Sequence, residues 1–104
     1  MGRVEYAHTV FEWDDDKNIS NKKKHGLFFE TAIAAFFDEH SLTETDFIQN
    51  NEQRWKTIGM APDSIMILFI GHVIFDDEIG REVIRVITAR KATLNEERTY
   101  YVSY

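Results

Sequence analysis

A chain of 104 residues, 43% hydrophobic and 13% aromatic with one proline, has material for one core and is too apolar to be disordered. It contains no cysteine, which excludes a disulfide framework, a thiolate metal site and a cysteine nucleophile. The net charge of −6 is uneven, with five basic and ten acidic residues over 1–50 against seven and eight over 51–104. This excludes a broadly basic nucleic-acid binder, so any contact with RNA needs a local cationic patch.

The predicted elements form one domain spanning 1–104. Val10 to Trp13 is aromatic and β-branched and predicts a short strand. Asp14 is a suitable N-cap for a helix running to about Lys24, with Asp15 and Asp16 at its positive end and His25-Gly26 as its stop. Phe29, Ala32, Ile33 and Phe36 recur at helical spacing, which predicts a second helix over about Phe28 to Phe37. Ser41 to Ile48 carries polar residues on both faces and reads as an edge strand. Arg54 to Ile58 follows after the polar turn Asn50-Asn51-Glu52. Gly59 to Ser64, with Pro62 and Asp63, is the next turn. Ile65 to Phe75 is almost wholly apolar and therefore central, with Gly71 as a possible bulge. After a turn at Asp76 to Gly80, Glu82 to Arg90 is the last strand. Thr93-Leu94-Asn95-Glu96 is a capping box, so a helix starts at Thr93 and runs through Tyr100. Strands joined by short links favour antiparallel pairing. The sum is an α+β domain with a twisted, mainly antiparallel sheet, two N-terminal helices and one C-terminal helix.

The first ten residues hold no apolar run of signal-peptide length, and the longest apolar stretch is far too short to span a bilayer. A cytoplasmic protein without membrane contact is expected. The four histidines, His8, His25, His40 and His72, show no metal-ligand spacing, and no phosphate loop or nucleophile elbow occurs. No metal and no cofactor are expected. Lys22-Lys23-Lys24-His25 either suits the helix macrodipole and solvent or contacts an anion. His25 is its most functional member, because imidazole titrates near neutral pH. Arg85 lies inside the apolar run Val83-Ile84-Arg85-Val86-Ile87. A charge there meets either a structural carboxylate or a ligand anion. Strand parity puts Arg85 and Arg90 on opposite faces unless a bulge intervenes. Arg54 could add a third cation from a neighbouring strand. On the last helix, Glu97 and Tyr101 stand at i, i+4 with Tyr100 between them, and at least one tyrosine is expected to pack on the sheet.

Two signatures stand in a fixed order. The first is Phe11-Glu12-Trp13-Asp14, then Lys17, Asn21, Lys24-His25-Gly26 and Phe29-Glu30 with Ala32. The second is Ile84-Arg85-Val86-Ile87-Thr88-Ala89-Arg90-Lys91-Ala92-Thr93, then Glu97-Arg98 and Tyr100, with Arg54 and Ile58-Gly59 between the two. Together they resemble the BrnT toxin family over roughly residues 11–101. The resemblance implies a RelE-like fold and a ribonuclease that slows translation. It also implies a BrnA-type antitoxin as partner, with operator DNA bound only through that antitoxin. The acidic balance and the segment Met1 to Thr9 depart from the family pattern.

RNA can be cleaved by its own 2′-hydroxyl without a metal, given a proton-transfer group and cations for the phosphorane charge. His25 or Glu97 is the candidate for proton transfer, and Arg54, Arg85 and Arg90 are candidates for charge stabilisation. Lys17, Lys24, Lys91 and Tyr100 are candidate RNA contacts. A second reading is a non-catalytic binding module that acts only in a complex with the antitoxin. Arginines clustered in a concavity favour the enzyme, whereas arginines tied to glutamates and aspartates on a flat face favour the module.

Overall fold

Asp14 accepts from the Lys17 backbone at 3.0 Å and opens α1 (Asp15–His25), which Gly26 closes in the left-handed region at φ 77°. Only Ile19 in α1 is a large apolar residue, and it is half exposed. Two buried asparagines anchor this helix instead. Asn18 accepts from the Phe29 backbone N–H at 2.7 Å and so caps the short α2 (Phe29–Ala32). The expected second helix is thus split, its remainder being a 3₁₀ turn over Ile33–Phe37. That turn brings the Ala35 carbonyl onto Gly59, where a Cβ would stand 2.5 Å from the oxygen.

The strands are β1 (Gly2–Glu5), β2 (Thr9–Trp13), β3 (Leu42–Gln49), β4 (Glu52–Met60), β5 (Ile67–Asp76) and β6 (Glu82–Lys91). The computed structural model describes residues 1–103 and joins them in one sheet in the order β1-β2-β6-β5-β4-β3. The fold is α+β with a mostly antiparallel open sheet, β3 at one edge and β5 inside, as the polarity of their sequences requires. β1, which the sequence reading lacked, pairs with β2. The pair β2–β6 is parallel, an exception to the antiparallel expectation. Its strands lie at opposite ends of the chain, so no short link constrains their direction. Asn50 and Asn51 take positive φ (51° and 63°) in the two-residue turn between β3 and β4, the twist that a tight hairpin needs.

α2 and the 3₁₀ turn cover one face of the sheet. Phe29, Ala32, Ile33 and Ala35 pack there on Phe11, Leu68, Ile70, Ile84 and Val86. β2 accompanies β6 only from Glu82 to Arg85, which leaves the next stretch of β6 without a strand on that side. α1 fills the gap. Asn21 accepts from the Ala89 N–H at 3.1 Å and donates to the Ala89 carbonyl at 2.8 Å, taking the place of a missing strand residue. α3 (Leu94–Val102) starts with both bonds of the Thr93/Glu96 capping box and packs Tyr100 with Ile58, Ile67 and Phe69 at one end of the opposite face. No described helix is long and apolar enough to cross a membrane.

Candidate functional site

The face opposite α2 carries the arginines. Lys56 pairs with Gly71, Ile58 with Phe69 and Val73 with Arg85, so Arg54, Lys56 and Arg85 point to the same side as Phe69. Arg90 also pairs with Phe69. Parity over five residues would send Arg85 and Arg90 to opposite faces, but the register shifts once between them. Gly71 faces Thr88 while His72 faces Val86, so Ile87 is an extra residue on β6. This bulge restores the shared face. Gly71 therefore marks the bulge from the opposite strand rather than holding it.

Each arginine has a glutamate. The Arg85 Nε donates to Glu12 Oε2 at 2.7 Å, and its guanidinium lies 5.2 Å from the centre of the Phe75 ring. Glu12 is buried and also receives Arg3 at 3.4 Å. Arg85 thus answers a buried carboxylate, yet its side chain keeps 41% exposure. Arg90 makes two bonds to Glu96, at 2.8 and 3.1 Å, and stacks 4.0 Å from the centre of Phe69. Hydrogen bonding by Arg90 holds the Glu96 carboxyl below its ordinary pKa against the effect of burial. Arg54 is held most loosely. Its Nε is 3.6 Å from Glu52, and that buried atom makes no hydrogen bond among the described residues.

Lys17, Lys24 and His25 are exposed on α1 and border a depression that reaches Ile87 and Thr88. A second cavity, containing Arg54 and Phe69, shares the same two β6 residues. The α1 cations and Arg54 consequently adjoin one continuous surface, with the β6 bulge as its middle. Lys91 is exposed at the end of β6. Glu97 is half-buried and has no hydrogen-bond or ion-pair partner among the described residues. Tyr100 differs from its sequence-based role as an RNA contact. It is 1% exposed and donates to Asp38 Oδ2 at 2.6 Å, while Tyr101 is exposed. Burial works against the charged form of Asp38, but bonds from Tyr100, Met60 N–H and His40 N–H outweigh it and lower its pKa. Tyr100 therefore ties α3 to the segment after the 3₁₀ turn.

Sequence reasoning gave no role to Glu12, Lys56, Asp46 or Asn21. Glu12 had a readable signal, since a carboxylate between Phe11 and Trp13 is the counterpart of an arginine between Ile84 and Val86. Asn21 stands in the first signature without a role, and nothing local marks Lys56 or Asp46. A larger cavity, about 560 Å³, lies on the opposite face between Tyr6, Phe11, Phe36 and Phe37, and none of the expected site residues borders it. Next to it His72 is buried, with Nε2 2.8 Å from the Thr57 hydroxyl, and burial lowers its pKa to about 4. Among the described residues no three His, Cys, Asp or Glu side chains converge as a metal site would require.

A family model described as the ribonuclease toxin BrnT of type II toxin–antitoxin systems matches residues 13–96. No curated protein matches the chain. The matched span starts at the Trp13 end of β2 and ends in the α3 capping box, and it contains every candidate residue except Glu97 and Tyr100. By this match the chain belongs to the BrnT family, the ribonuclease toxins of type II toxin–antitoxin systems.

Proposed function

We propose that this chain is a metal-independent endoribonuclease that inhibits translation from the arginine-bearing face of its sheet, and that a BrnA-type antitoxin neutralises it in the cytoplasm. The observation that carries this reading is the extra residue at Ile87, which sets Arg85 and Arg90 on the same face as Arg54. In this reading the RNA backbone lies across the β6 bulge, with its phosphates toward Lys17, Lys24 and Lys91. The 2′-hydroxyl attacks the adjacent phosphorus, the 5′-oxygen leaves, and a 2′,3′-cyclic phosphate remains. His25 or Glu97 takes or gives the proton, and Arg54, Arg85 and Arg90 stabilise the pentacoordinate charge. Tyr100 holds α3, and with it Glu97, in position. Operator DNA is contacted only through the antitoxin.

The purified chain tests this directly. It should cleave RNA in excess chelator and leave cyclic phosphate ends, and its expression without antitoxin should arrest growth. Loss of cleavage in chelator, restored by a divalent ion, would overturn the metal-free mechanism. One observation favours a second reading, a non-catalytic module that only engages the antitoxin: all three arginines already face glutamates. Unhindered growth with abundant folded protein would select that reading.

A further inference from the structure

The sheet contains a second irregularity. Between the pairs Thr45–Trp55 and Ile48–Gln53, Asp46 and Phe47 together stand opposite Arg54. This β3 bulge and the β6 bulge at Ile87 border the same small cavity, whose volume is about 120 Å³. Bulges re-aim side chains and disturb the ladder, and two of them converging on one hollow build a site rather than a defect. Gly71 lies between them, where a Cβ would press to 2.9 Å from Thr88.

Arg54 and Asp46, which both line the hollow, each keep unused hydrogen-bonding capacity. The Arg54 Nε is buried without a hydrogen bond, and the Asp46 carboxylate has no hydrogen-bond or ion-pair partner among the described residues. The two line one cavity yet do not pair with each other. Phe47 is 51% exposed at the rim, an aromatic surface on which a planar ring can stack. A lone carboxylate on a face that receives a polyanion repels phosphate unless it accepts hydrogen bonds from the ligand. Bases carry such donors, and an unstacked single-stranded base presents its edges to side chains. Guanine alone places acceptors and donors in one continuous row, N7 and O6 followed by N1–H and the 2-amino group, which matches a guanidinium beside a carboxylate.

We propose that the cavity between the two bulges is a guanine-binding subsite, with one N–H of the Arg54 guanidinium donating to O6 or N7 while its other donors remain for the phosphate, Asp46 accepting from N1–H and the 2-amino group, and Phe47 stacking on the ring. The subsite gives the RNA-cleaving face described above a base preference, and it rests on that reading for its biological use but not for its binding chemistry.

The test titrates GMP, AMP, CMP and UMP into the full chain and its Asp46→Asn variant, reading the Arg54 Nε–H and Trp55 indole resonances. In parallel, cuts are mapped on a synthetic RNA containing every dinucleotide step. The wild-type chain should bind GMP about tenfold or more tighter than the other three, and Asp46→Asn should erase that preference at unchanged melting temperature. Cuts should cluster beside guanosine and spread to other bases in the variant. Equal binding of the four, absence of binding, preference for another base, or an unaltered preference in Asp46→Asn would each overturn the subsite. Selective GMP binding without any RNA cleavage keeps the subsite and removes the ribonuclease reading. Cleavage without base preference does the reverse.

Discussion

The two faces of the sheet are built on different principles. The face under α2 and the 3₁₀ turn is closed by apolar packing around Phe29, Ile70 and Val86. Its polar line, Thr43 to Thr57 to His72, is joined by short hydrogen bonds between buried or half-buried side chains, with the His72 Nδ1 left unbonded among the described residues. The opposite face is covered only at one end by α3, and along the rest it carries Arg54, Lys56 and Arg85, all half-exposed. Burial area holds the first face together, while the second is organised by charge pairs that a competing anion can rearrange. Substitutions on the first face should therefore show in stability, and those on the second in activity.

The largest expected effect is on the packed face. Phe29 is fully buried, and Phe29→Ala should cost about 3–5 kcal/mol through lost burial and the cavity left behind, read as a fall in melting temperature. A near-normal melting temperature would break the contrast between the faces at once.

Next comes His72. Its folded pKa of about 4 lies below the unfolded value near 6.5, so the unfolded chain binds the extra proton first as pH falls. Stability contributed by keeping this ring neutral is complete above pH 6.5 and drains between pH 6.5 and 4, by about 3 kcal/mol. Asp38, Asp77 and Glu96, whose pKa values are lowered, contribute stability that is present above their unfolded values of 3.8, 3.8 and 4.5 and is lost as pH falls through their folded ones. A His72→Gln chain should show a flat stability profile from pH 6.5 to 4.5. If the wild-type profile is already flat there, the buried Thr57–His72 pair does not have the environment described.

Arg85 joins the two behaviours. Arg85→Ala leaves the buried Glu12 with only the 3.4 Å contact from Arg3, and should cost about 2 kcal/mol, less than a fully buried unpaired charge would. Pairing the change with Glu12→Gln should recover most of that stability but not the activity. If the double variant regains full activity, Arg85 serves only the fold.

The legible parts of the fold were those with local chemistry. Asp14 and Gly26 bounded α1, Thr93 and Glu96 opened α3, and the apolar run Ile65 to Phe75 supplied the interior strand Ile67–Asp76, which starts two residues later than expected. β1 was not legible, because Gly2–Glu5 is short and polar and its support, pairing with β2, the Val4 contact with the core and the Glu5–Arg81 ion pair, is all non-local. The parallel β2–β6 pair joins residues more than seventy positions apart, a distance over which hydrophobic pattern carries no register. Of the arginines of the candidate site, Arg85 was legible as a charge out of place in an apolar strand, whereas Arg54 and Arg90 stand in polar surroundings at strand ends. Their shared face was not, because it depends on one extra residue at Ile87 that nothing in the run Val83–Lys91 announces. Tyr100 shows the converse limit. A tyrosine in an amphipathic helix fits a ligand or a core equally well, and here the carboxylate of Asp38 decides for the core.

The most direct measurement on the central claim is the RNA cleavage rate of Arg54→Ala beside its melting temperature. Arg54 has only a 3.6 Å approach to Glu52 and no hydrogen bond at Nε, so the fold depends on it little. If the arginine-bearing face does the chemistry, the rate should drop about a hundred- to a thousandfold, as for loss of one well-placed charge stabiliser, while the melting temperature stays within a few degrees. Cleavage at the wild-type rate by an equally stable Arg54→Ala chain would contradict the account.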